Sequence, residues 1–64
     1  MSKKYTLYYL NTDRGVAIRA AQNIKQARRE AVREVGEDGL KGIRKATEAD
    51  IAWVKGMGGY VPTV

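Results

Sequence analysis

The chain predicts a single α+β domain, a three-stranded antiparallel sheet packed on one main helix with a short second helix. Three observations predict it. An aromatic-rich segment is followed by a turn and an alternating strand, a helix with an apolar side runs from Asn23 to Val35, and a third strand-like run follows that helix. Sixty-four residues give one domain, and a core of this size supplies only about 3–5 kcal/mol unless a disulfide, a metal or a second subunit assists.

Tyr5-Thr6-Leu7-Tyr8-Tyr9-Leu10 is rich in strand-favouring residues and too short for a helix, so it reads as the first strand. Asn11 to Gly15 supplies turn chemistry, with glycine at the position that tolerates left-handed backbone. Val16 to Ala20 is the second strand, with Val16, Ile18 and Ala20 on one face and Arg19 on the other. Two hairpin registers fit. A four-residue loop, Thr12 to Gly15, pairs Tyr9 with Ile18 and Tyr8 with Arg19, whereas a three-residue loop pairs Tyr9 with Arg19 and Leu10 with Ile18. The four-residue loop is favoured because it buries Tyr5, Leu7 and Tyr9 with Val16, Ile18 and Ala20 under the helix, leaving Tyr8 and Arg19 outward.

Asn23 is the expected N-cap of the main helix, and Gln26 is placed to return a capping-box hydrogen bond. At about 100° per residue, Ile24, Ala27, Ala31, Val32 and Val35 gather on one side. Lys25, Arg29 and Arg33 form a basic row, Gln26, Glu30 and Glu34 the row beside it, and Arg28 lies within the apolar sector with its stem over the core edge. Gly36 ends the helix. Leu40 to Ala46 is the third strand, where Leu40 and Ile43 fall on opposite faces unless Gly42 marks a bulge. Thr47 with Asp50 predicts a second cap, a helix from Glu48 to about Met57, and termination at Gly58-Gly59. Tyr60 to Val64 is a short edge strand or a tail, and Pro62 keeps it from a central position. A helix that carries the chain back across the sheet makes the third strand parallel to the second, giving the order 2-1-3.

Composition narrows the function classes. Without cysteine or histidine, disulfides and the usual zinc and iron ligand sets are ruled out, and so are the commonest general base and the most reactive nucleophile. Ser2 sits at the N-terminus, and no base stands beside any of the four threonines. The acidic pairs Glu30/Glu34, Glu37/Asp38 and Glu48/Asp50 have simpler roles on helix surface, turn and first helical turn. Gly56-Met57-Gly58-Gly59 follows a helix and lacks the spacing of a phosphate loop. No catalysis, metal or cofactor is expected. Lys3 and Lys4 precede an apolar run too short for a signal peptide or a membrane span, so a cytoplasmic address and no membrane partner are expected.

Twelve Lys and Arg against seven Asp and Glu give a net charge of +5, which favours acidic partners. Two surfaces are candidates. One is the outer sheet face, where Tyr8, Arg19, Lys41 and Arg44 would join an aromatic ring to three cations in the manner of single-strand binders. The other is the helix stripe Lys25, Arg29 and Arg33, at the one-turn spacing suited to a phosphate backbone. The same outer face, with Leu10, Ala17 and Tyr8, is alternatively covered by Trp53 of the second helix or by a second copy of the chain.

The tyrosine-containing hairpin, the run Asn-Ile-Lys-Gln-Ala-Arg-Arg-Glu-Ala and the glycine-led basic strand resemble small phage- and prophage-encoded β-β-α-β proteins over residues 5–46. Some of those proteins are anti-CRISPR inhibitors. The resemblance implies a non-enzymatic interaction module from a mobile element that binds a protein or nucleoprotein partner. Direct nucleic-acid binding and a structural homodimer are the alternatives.

Overall fold

The computed structural model describes residues 4–62; Met1, Ser2 and Lys3, and Thr63 and Val64 of the expected tail, lie outside them. The elements are β1 (Thr6–Thr12), β2 (Gly15–Ala21), α1 (Ile24–Val35), β3 (Leu40–Lys45) and α2 (Glu48–Gly56), and the sheet order is β2-β1-β3 with both pairings antiparallel. The fold is therefore the expected α+β arrangement, with the most apolar strand in the centre. Tyr60 to Pro62 form no strand.

The hairpin adopts the favoured register, with Tyr9 opposite Ile18 and Tyr8 opposite Arg19. Thr12 and Gly15 are its last pair, so the tight turn is Asp13-Arg14. Gly15 takes φ +115°, a conformation that favours glycine, and the Thr12 hydroxyl donates to its carbonyl at 2.7 Å.

The face assignment is the reverse of the expected one. α1 covers Tyr8, Leu10, Ala17 and Ala21, with Leu40 and Ile43 at the margin, rather than Val16, Ile18 and Ala20. Size complementarity accounts for it. α1 turns Ala27 and Ala31 inward, and such a shallow helix surface is filled by large strand residues, here Tyr8 and Leu10, alternating with the alanines of β2. Ile18 faces the other way, where α2 packs against β2 and where Ile18 and Val54 are almost wholly buried. Both faces of the β1–β2 hairpin thus carry apolar residues, and α2 covers the second face over β2.

The irregularity expected in the third strand lies one residue from Gly42. Asn11 pairs with Gly42 and Thr12 with Leu40, so Lys41 is the extra residue of a bulge. That insertion brings Leu40 and Ile43 to the same face, under α1.

The caps follow the side-chain chemistry with one change. Asn23 accepts from the Gln26 N–H at 2.8 Å, but the Gln26 side chain accepts from the Gln22 N–H at 2.6 Å instead of from Asn23. In α2 the capping box is complete, since Thr47 accepts from the Asp50 N–H and Asp50 accepts from the Thr47 N–H.

Candidate partner-binding flank

The four residues expected on one open sheet face are not brought together. Tyr8 is 8% exposed and belongs to the core beneath α1. Arg19 lies on the α1 side of the sheet and forms an ion pair with Glu34 of that helix. Arg44 projects on the α2 side, and Lys41 sits at the bulge. The alternation of β1 and β2 left both faces apolar, so it carried no signal for which face α1 takes.

Arg44 is held by two partners. Its guanidinium donates to both carboxylate oxygens of Asp50 at 2.6 and 2.8 Å and lies over the Tyr9 ring, 4.4 Å from the centroid. The Arg44 hydrogen bonds, followed by the Thr47 N–H, hold the Asp50 carboxyl down to about 2 from its ordinary 3.8. A carboxyl lowered on folding adds stability above its unfolded value and loses it as pH falls through the folded one. The stabilising effect of Asp50 is therefore expected to be constant above about pH 4 and to fade between about 4 and 2. Thermal unfolding of Asp50→Asn beside the unaltered chain checks this, since the gap in midpoints should close across that acid window and stay level at neutral pH.

The helix stripe is arranged differently from the sheet residues. On the β2 side of α1 stands the acidic row, where Arg19 neutralises Glu34. On the β3 side stand Lys25 and Arg28. They line one shallow concavity with Ile24 and Ile43, and Arg28 lines the next with Val32, Glu37 and Leu40. Arg29 and Arg33 crown the exposed back of the helix. Lys45 shares the sheet face of Ile43, two residues along an edge strand. The result is a flank with an apolar floor, in which Ile24 is 48% exposed, walled by Lys25 and Arg28 along one concavity and by Arg28 and Glu37 along the next.

The backbone of β3 adds directional groups to this flank. Ala46 N–H donates to the Leu7 carbonyl at 2.9 Å, which makes Leu7 and Ala46 a hydrogen-bonded pair. By the alternation of an antiparallel ladder, Tyr9–Arg44 is another such pair, and the N–H and C=O groups of Ile43 and Lys45 point away from β1. Among the described residues nothing pairs with that outer edge.

Sequence reasoning named Lys25, Arg29 and Arg33 but missed Ile24, Ile43 and Lys45 as their neighbours. The signal available was Arg28, a cation inside an apolar sector, which marks where that sector meets solvent. Among the described residues no three acidic side chains converge to hold a metal ion, and no helix is long and apolar enough to cross a membrane. No protein-family model, curated protein or solved structure matches the chain.

Proposed function

We propose that the chain is a non-catalytic interaction module that docks an acidic protein or nucleoprotein partner along the α1–β3 flank. The observation that carries this reading is the separation of the charge rows of α1. The acidic row is turned to β2 and partly neutralised by Arg19, while Lys25, Arg28 and Lys45 on the α1–β3 flank have no carboxylate within ion-pairing distance among the described residues. Charge left unpaired beside exposed apolar surface favours a partner that supplies carboxylates and apolar side chains together.

A polypeptide suits the flank better than a bare nucleic acid. The outward N–H and C=O groups of Ile43 and Lys45 match an extended chain, and the concavities are floored by Ile24, Val32, Leu40 and Ile43 rather than by an aromatic platform. Nucleic-acid binding is the second reading, supported by the one-turn spacing of Lys25, Arg29 and Arg33.

Selection of displayed peptides on the immobilised chain tests the first reading. Recovered sequences should alternate apolar residues with Asp or Glu, and Arg28→Glu should weaken their binding by about tenfold or more through like-charge repulsion. Arg14→Glu, on the hairpin turn, should leave it unchanged. Failure to enrich acidic sequences, joined with a mobility shift of single- or double-stranded nucleic acid that weakens steeply with salt, would transfer the function to the second reading.

A further inference from the structure

α2 is apolar on both sides, and only one side is used. Val54 is 2% exposed and Ile51 is half-buried against the sheet, but Ala49, Ala52, Trp53 and Gly56 are all exposed. At helical spacing these four share the opposite face, with Trp53 54% exposed and Met57, one turn on, 55% exposed. Large exposed apolar side chains grouped on one face of one element mark an interaction surface.

Glu48 and Lys55 identify what covers it. They lie two turns apart on the same flank of this face, near opposite ends of the helix, and neither has an ion-pair partner among the described residues. A two-fold axis passing near Ala52 places a second α2 antiparallel to the first. Each Glu48 then faces the Lys55 of the other copy, the Ala49 end meets the Gly56 end, and each Trp53 packs over the neighbouring helix. A face whose charges complete themselves under two-fold rotation fits a second copy of its own chain. We infer that the outer face of α2, centred on Trp53, is a symmetric self-association surface that pairs two copies of the chain. α1 and α2 occupy opposite sides of the sheet, so pairing through α2 leaves both α1–β3 flanks open and gives the assembly two equivalent docking surfaces. The pairing does not depend on what those flanks bind.

Light scattering and sedimentation of the full chain over micromolar to millimolar concentration should show the mass rising from one chain toward two. Trp53→Ala, with its circular dichroism unchanged, should remain single. Glu48→Lys and Lys55→Glu should each weaken pairing by about tenfold or more, because each sets like charges opposite one another. An equimolar mixture of these two variants should pair more tightly than either alone, since every contact in the mixed dimer is again opposite in sign. The lone tryptophan gives a reading that needs no variant, as its emission in the unaltered chain should shift to the blue with concentration. A mass of one chain at millimolar concentration, a dimer that persists in folded Trp53→Ala, emission independent of concentration, or a mixture no tighter than its components would each overturn the proposal.

Discussion

Leu10→Ala is expected to leave a substantial fraction of molecules unfolded at room temperature. Leu10 is 2% exposed, sits in the central strand opposite Ala17 and Ile43, and belongs to the cluster formed with Ala27 and Ala31. Truncation removes its buried area and leaves a cavity that two neighbouring strands cannot easily close, at a cost of about 2–5 kcal/mol. A domain of this length holds only about 3–5 kcal/mol in total, so the loss approaches the whole stability. Urea titration followed by circular dichroism measures it. A midpoint shift equivalent to less than about 1 kcal/mol would mean that the cluster collapses around the missing side chain and that Leu10 is not its centre.

Gly39→Ala should be nearly as damaging, for a reason that concerns space rather than burial. A β-carbon at Gly39 would collide with the Val35 carbonyl oxygen and would approach Asp13 Oδ1 to 3.1 Å. The residue cannot readily retreat, because its own carbonyl accepts from the Asp13 N–H at 2.8 Å. Relief requires moving either the end of α1 or the hairpin turn, and overpacking of this kind costs about 1–3 kcal/mol. Gly42→Ala is the matched comparison. Nothing lies within 4 Å of the position its β-carbon would take, and its φ is not positive. There the loss of unfolded-state freedom should leave stability level or raise it by up to about 1 kcal/mol. Destabilisation at Gly39 and none at Gly42 is the expected result, and equal destabilisation would show that the Val35 contact is not what excludes alanine at Gly39.

What the sequence disclosed was decided by local chemistry. Asn23 and Thr47 announce the helix starts, Gly36 and Gly58 occupy the positive-φ positions after the helices, and Gly15 marks the hairpin turn. The hairpin register stayed open between two loops, and the one observed was favoured for a burial under α1 that the structure reverses. What it concealed was decided across the chain. Tyr8 and Arg19 were placed correctly opposite one another, yet on the wrong side relative to α1, because both faces of the β1–β2 hairpin are apolar and alternation ranks neither. Small inward residues on α1 and a second helix for the other face settle the choice, and neither is visible within a single strand. The bulge at Lys41 was foreseen as a conflict between Leu40 and Ile43, but its position is set by β1, where Asn11 and Thr12 stand opposite it. The candidate flank was legible in halves. The basic row of α1 was plain, whereas its place beside the β3 edge follows from Ala27 and Ala31 turning inward and from the direction in which α1 crosses the sheet, an arrangement the Arg19–Glu34 pair accompanies.

The bond from Asp13 N–H to the Gly39 carbonyl joins two chain reversals that are distant in sequence, the tip of the hairpin and the loop that delivers β3. A hairpin and a capped helix are each able to form locally and early, but this bond exists only once the helix has swung the chain back across β1. The hairpin turn is closed locally by the Thr12 hydroxyl, so it is the Asp13 N–H alone that gains its partner only when β3 docks. The hairpin tip, commonly the loosest part of such a motif, is here tied to the loop that delivers β3, so that opening β3 loosens both reversals at that end of the sheet together.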